Sequence, residues 1–230
     1  MIRWLRASRL ARAAALAVGT AVPVAVLALA VRSEASAVHA ADVETVRAAT
    51  RLTAADPGLH RAALVWQELS QARWVNLAAA ALGAVVWFRH ELRARAVWAV
   101  ATVLVTWGLA NVLKVLVARA RPVVDVVLTR APGASFPSGH AMNTAATGVV
   151  VVLLVLPLLG RRGRAVVVGF VALAVVLTGA DRVLLGAHHP SDVVAGIALG
   201  GATAGASYLG WHGWGDRTPT SASPDRPDHR

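Results

Sequence analysis

The sequence predicts an all-α integral membrane protein, a bundle of six transmembrane helices, and three observations carry that prediction. The chain has 230 residues, is 57% hydrophobic with mean hydropathy +0.58, and only 15% of it is charged, against about 25% in an ordinary soluble domain. Six apolar runs approach the roughly 20 residues needed to cross a bilayer: 12–31, 74–88, 96–117, 140–159, 165–187 and 192–211. The arginines, finally, collect in alternate connections. Arg3, Arg6, Arg9 and Arg12 precede the first run, Arg89, Arg93 and Arg95 lie between the second and third, Arg161, Arg162 and Arg164 between the fourth and fifth, and Arg217, Arg226 and Arg230 in the tail. These connections share one face of the membrane, and the positive-inside rule places both termini in the cytoplasm.

Taken in order, residues 1–31 form the cytoplasmic N-terminus and first transmembrane helix. The arginines, apolar run and following "EASAVHA" resemble a secretory signal, but the apolar run exceeds the usual 7–15 residues of a signal core. A retained anchor is therefore expected. Residues 32–73 form an extracytoplasmic loop whose five arginines are balanced by Glu34, Asp42, Glu44, Asp56 and Glu68. Its stretches "VETVRAATRL" and "HRAALVWQEL" read as short helices lying at the surface. Residues 74–212 make the helical core, and residues 213–230, rich in Pro, Ser, Asp and Arg, a disordered cytoplasmic tail. In the last run, Gly196 with Gly200 and Gly201 with Gly205 are small-residue pairs that permit close helix packing. Trp74, Trp87, Trp98, Trp211 and Trp214 fall near span ends, as interfacial anchors do.

The chain has no cysteine, so disulfides and thiolate metal sites are excluded. The net charge of +11 does not signal nucleic acid, because the basic residues are divided among short loops with no interleaved aromatic platform.

In this topology three polar clusters meet at the outer face. The third run ends in "NVLKVLVARARP", the fourth begins at "FPSGH", and the fifth ends in "ADRVLLGAHHPSD". Ionisable residues at membrane depth are costly and face a bundle interior or a wet cavity. Lys114 and Arg121 are seven apart, two helical turns, so both project from one face while Arg119 points away. Pro122 ends the span near Arg121. Pro137 and Ser138 read as a helix start and N-cap, and Gly139 lets a ligand approach the backbone. The helix that follows offers free N–H groups to an anion such as phosphate. Arg182 sits inside an apolar run, and His188 and Asp192 are four apart across Pro190, which interrupts any continuous helix. The surrounding Lys and Arg residues repel a metal ion and favour an anion. Three cations, a helix N-terminus, two histidines and a carboxylate describe phosphoryl transfer through an imidazole nucleophile.

"KVLVARARP", "PSGH" and "RVLLGAHHPSD" together resemble the type 2 phosphatidic acid phosphatase (PAP2) superfamily, whose pattern is K-x6-R-P, then P-S-G-H, then S-R-x5-H-x3-D. Lys114 and Arg121-Pro122 match the first motif, Pro137 to His140 the second, and Arg182, His188 and Asp192 the third. The spacing selects His188 over His189. Asp181 replaces the family's serine, and it either weakens phosphate attraction by Arg182 or faces away.

The resemblance implies a metal-independent lipid phosphate phosphatase with no cofactor. In it His188 attacks phosphorus and Asp192 orients the ring. His140 protonates the leaving oxygen and then deprotonates water, while Lys114, Arg121, Ser138, Gly139 and Arg182 hold the phosphoryl oxygens. The implied substrate is a membrane lipid phosphate, phosphatidate-like or a polyprenyl diphosphate such as undecaprenyl diphosphate; the topology puts the meeting place at the outer interface, and the Ala, Val and Arg bias of the chain points to a bacterial plasma membrane. A lipid phosphotransferase and a non-catalytic lipid-phosphate transporter are the rival classes. Soluble vanadium-dependent haloperoxidases share the motifs but lack these spans.

Overall fold

The computed structural model describes residues 2–211; the tail expected to be disordered, and with it Trp214, lies outside the described residues. The described residues form eight α-helices: α1 (Ile2–Arg32), α2 (Ser36–Ala55), α3 (Pro57–Leu69), α4 (Ala72–His90), α5 (Arg93–Val117), α6 (Gly139–Val155), α7 (Arg161–Leu184) and α8 (Pro190–Trp211). A single 3-10 turn, Leu156–Leu158, follows α6. The all-helical expectation is met among these residues. Among the described residues, five helical stretches are long and apolar enough to cross a membrane: Ala7–Arg32, Arg93–Val117, Gly139–Leu158, Arg161–Leu184 and Pro190–Trp211. The second expected span, 74–88, coincides with α4, which is not among the five. Arg73, Asn76, Arg89 and His90 dilute its apolar run.

Local chemistry sets the helix ends that matter for the site. Ala118 adopts a left-handed conformation (φ 51°) and its N–H caps the Lys114 carbonyl, ending α5 at Val117. The helix therefore stops four residues short of Arg121, and the expected shared helical face of Lys114 and Arg121 does not exist. Asp56 caps α3, accepting from the N–H groups of Gly58 (2.8 Å) and Leu59 (3.1 Å), with Pro57 in the first turn. α7 gives way at Gly186, whose φ of +68° turns the chain toward α8.

α6 is the central post, packed against α4, α5, α7 and α8, and α8 in turn packs against α1. Small side chains make this possible. A Cβ on Gly196 would lie 2.7 Å from the Ser138 carbonyl oxygen, and one on Gly200 closer still to the Met142 carbonyl oxygen. Of the second pair, Gly205 faces Leu16 of α1 while Gly201 meets open space. Interhelical polar contacts support the packing: Asn143 donates to Asn76 (2.9 Å) and Trp98 to Ser207 (3.2 Å). Trp98 is buried, against the expectation of an interfacial anchor. Its ring lies 5.3 Å from Tyr208 and 5.6 Å from Trp211, within the cluster of Val86, Val103, Val150 and Leu154. The expected surface helices of loop 32–73 form as α2 and α3 and lie over α7.

The α6–α8 contact generates a prediction. Gly200→Ala forces the two backbones apart and should cost about 1–3 kcal/mol of stability, the usual penalty of overpacking. Thermal unfolding in detergent reads this directly, and an unchanged midpoint would contradict the close approach.

Candidate active site

The segment 185–189 joins α7 to α8 and presents His188 to the bundle interior. The N–H groups of Ala187 and His188 both donate to the Arg182 carbonyl (3.0 and 3.1 Å), so the turn is anchored to the last turn of α7. His188 Nε2 lies 3.3 Å from Arg121 Nη1. A guanidinium only donates, so Nε2 carries the lone pair and the ring proton resides on Nδ1. That nitrogen faces Ser135 Oγ at 3.4 Å and Asp192 Oδ2 at 3.6 Å. The Ser135 hydroxyl donates in turn to Asp192 Oδ2 (2.5 Å), which also accepts from the His189 N–H (2.9 Å). The expected pairing of His188 with Asp192 is thus present, with Ser135 relaying it.

Asp192 is fully buried, and its second oxygen accepts from Arg119 Nη1 at 2.6 Å. Arg119 does not point away from the cluster. Because α5 has already ended, Arg119 turns inward and joins Asp192 to Asp42 of α2 (2.7 Å). Asp42 also accepts from the Ser191 N–H (3.0 Å) and hydroxyl (2.5 Å), capping the first turn of α8 from outside it. Sequence reasoning missed Ser135, Arg119, Asp42 and Ser191, and set His189 aside although its backbone holds Asp192. The one available signal was Arg119 lying two residues before Arg121 in a stretch that Pro122 already marks as non-helical.

The remaining cations divide into two kinds. Lys114 Nζ donates to the Ala134 carbonyl (2.8 Å), and Arg121 to the carbonyls of Ala187 (2.6 Å), Gly133 (3.0 Å) and Pro132 (3.0 Å). These acceptors are neutral, and neither cation makes a direct ion pair among the described residues. Arg182 is buried and held by its own neighbour: Asp181 Oδ2 accepts from Nε at 2.9 Å and also from Nη2. The residue that departs from the family pattern therefore pairs with the arginine beside it.

Gly139 opens α6 with Lys114 against it; a Cβ there would sit 3.6 Å from Lys114 Cε. Ser138 occupies the expected capping position, yet its hydroxyl makes no bond to the helix. Its backbone N–H instead donates to the Asp192 carbonyl (3.0 Å), tying α6 to α8. Ser138 Oγ and His140 Nε2 are buried with no hydrogen-bond partner among the described residues. His140 lies within electrostatic reach of Arg182, His188, Lys114 and Arg121. All eight site residues expected from the sequence thus collect at one end of the bundle. Among the described residues, no group of three or more His, Cys, Asp or Glu side chains is placed to hold a metal ion.

The family model of the PAP2 superfamily matches residues 95–216, more than half of the chain. The chain belongs to the PAP2 superfamily. It is 40% identical over 109 residues to a lipid A 1-phosphatase of Rhizobium etli, covering 44% of this chain and 43% of that protein. It is 36% identical over 119 residues to a decaprenylphosphoryl-5-phosphoribose phosphatase of Mycobacterium tuberculosis (50% and 60%). Over 98 residues it is 39% identical to phosphatidylglycerophosphatase B of Bacillus subtilis (40% and 46%). The chain thus spans about half the length of the curated relatives it matches. The crystal structure of a transmembrane PAP2-type phosphatidylglycerolphosphate phosphatase from Bacillus subtilis superposes with a TM-score of 0.75 at 27% identity, covering 84% of this chain and 94% of that one. With its apolar helices, this places the PAP2 chain among multi-pass membrane proteins.

Burial pushes the His188 imidazole down to about 4, with Arg121 and Lys114 adding to the effect and Asp192 opposing it. The unfolded ring titrates near 6.5, so the unfolded chain takes up this proton first. The stability that the neutral ring contributes is whole above about pH 6.5 and is lost as the pH falls to about 4. Melting temperature should decline across that window and decline less in His188→Gln; parallel declines would contradict a buried neutral imidazole.

Proposed function

We propose that the chain hydrolyses the phosphate monoester or diphosphate of a membrane lipid by way of a phosphohistidine on His188. One observation carries the reading. His188 has its Nδ1 side held toward Ser135 and Asp192 and its Nε2 lone pair directed at Arg121, beside two buried polar atoms that lack partners, Ser138 Oγ and His140 Nε2. Buried polar atoms without partners are costly, and phosphoryl oxygens and a leaving-group oxygen satisfy both.

In the first step the Nε2 lone pair attacks phosphorus and the bond to the lipid oxygen breaks. The electron pair leaves with that oxygen, which takes a proton from His140. Arg121 releases Nε2 and moves to the phosphoryl oxygens, where Lys114, Arg182, the Ser138 hydroxyl and the Gly139 N–H also donate. In the second step water attacks phosphorus, His140 accepts its proton, and the N–P bond returns its pair to Nε2. Asp192, through Ser135, keeps the proton on Nδ1 and stabilises the charge on the ring. Fixed cations supply the charge that divalent metals supply at other phosphoryl-transfer sites.

The topology supports a site at the extracytoplasmic interface. With α4 as a sixth span, the arginine-rich connections and both termini share the cytoplasmic side. The lipids named in the three relatives, lipid A, decaprenylphosphoryl-5-phosphoribose and phosphatidylglycerophosphate, define the panel to offer, alongside phosphatidate and a polyprenyl diphosphate. With chelator present, the purified protein should release phosphate from at least one of them. His188→Ala should lose at least about 1,000-fold in kcat, as removal of a nucleophile does. Transfer to an added alcohol with little free phosphate would replace hydrolase by transferase. Tight lipid binding without turnover would leave a non-catalytic binder, and strict dependence on a divalent metal would overturn the mechanism.

A further inference from the structure

A cavity of about 550 Å³, with Arg121 in its wall, lies between the end of α1, α2 and the segment 117–123. It shares Arg121 and His189 with the site described above and adds Arg32, His39 and Arg47, with Glu34 the one carboxylate in its lining. Arg119 also lines it, but that guanidinium is committed to Asp42 and Asp192. The other guanidiniums make no direct ion pair among the described residues. Arg32 donates to a backbone carbonyl, Leu116 O (3.0 Å), and the Arg47 guanidinium makes no hydrogen bond or ion pair among the described residues, although the Arg47 carbonyl accepts from the Thr50 hydroxyl (3.2 Å). Cavities elsewhere in the bundle, such as the one between α3, α4, α6 and α7, have predominantly apolar walls. A pocket with three guanidiniums that make no direct ion pair among the described residues, and one acid, selects an anion, and planar guanidiniums suit phosphate oxygens in particular.

We propose that this pocket is a second phosphate subsite, which takes the phosphodiester of a lipid whose terminal phosphate monoester lies on His188. The proposal rests on the hydrolase reading and narrows its substrate to lipids with two phosphates joined by a short polyol. Arg121 is the reason for joining the two anions in one molecule. The same side chain lines this pocket and donates to His188 Nε2, so it stands between two phosphates and lowers their mutual repulsion. Arg47 is the residue to change: it is exposed on α2 and plays no part in the proposed chemistry.

The test compares full-length protein with Arg47→Glu in nanodiscs of neutral lipid. The two probes are phosphatidylglycerophosphate, which has a phosphodiester and a monoester, and phosphatidate, which has the monoester alone. Arg47→Glu should raise KM for phosphatidylglycerophosphate about tenfold, the value of one charge-assisted phosphate contact, with kcat kept and phosphatidate kinetics unchanged. Arg47→Lys should restore most of the loss. An equal change for both lipids, or none for either, overturns the subsite. If anionic bulk lipid or free glycerol phosphate alters phosphatidate turnover in an Arg47-dependent way, the pocket serves a separate phosphate and the proposal also fails. Binding of both lipids to the His188→Ala background, read by native mass spectrometry, separates this idea from the hydrolase reading. Weaker retention of phosphatidylglycerophosphate alone in the Arg47→Glu double variant supports the subsite even if turnover fails, and equal retention refutes it.

Discussion

A single buried carboxylate organises this end of the molecule. Asp192 has no solvent exposure, and every group that makes its burial tolerable comes from a different part of the chain: Arg119 just past α5, Ser135 from the segment before α6, and the His189 N–H from the turn after α7. An ionised carboxylate placed in a low-dielectric interior is sustained only by such bonds. The requirement to satisfy Asp192 therefore brings together the elements that carry Lys114, Arg121, Ser138, His140 and His188. Asp42 extends the arrangement to α2, since it balances the second face of Arg119 and caps α8 through Ser191. Removing Arg119 would leave the Asp192 charge unpaired, and removing Ser135 would take away one of its hydrogen bonds, in a region where both losses are costly.

The same logic separates cations that build the site from cations free to bind. Arg119 is neutralised by two carboxylates, and Arg182 by Asp181, whereas Lys114 donates to a neutral carbonyl and Arg121 to neutral carbonyls and the His188 ring. Attraction for an anion comes chiefly from the second pair. Asp181 thus tempers the charge of Arg182 in the proposed reaction, and the Ser138 hydroxyl and His140 Nε2, without partners among the described residues, define where oxygens are wanted.

Much of this was readable from spacing. The chemistry-bearing residues fall in three short motifs, each tied to a helix end, so Lys114, His140, His188 and Asp192 could be named without coordinates. The glycine pairing of Gly196 and Gly200 was equally direct, because close packing leaves a local mark. What could not be read depends on where the chain stops being regular. A left-handed Ala118 ends α5 early, and that alone reverses the direction assigned to Arg119. Asp42 joins the site from 150 residues before Asp192, inside an amphipathic stretch with no motif. Trp98 lies near a span end, yet Tyr208 and Trp211 enclose it from α8, a contact set by tertiary packing. α4 shows the same limit from the other side: its polar ends dilute a short apolar run, so composition alone does not decide whether it crosses the bilayer.

The central claim is that Asp192, through Ser135, keeps the His188 proton on Nδ1 so that Nε2 reacts. Rapid quenching of turnover in a His140→Ala variant, with an activated aryl phosphate that needs no acid, should trap the covalent intermediate. Phosphorus NMR of the digested peptide distinguishes the two ring positions. The structure predicts phosphate on His188 at Nε2; phosphate at Nδ1, on His140 or on no histidine would contradict it.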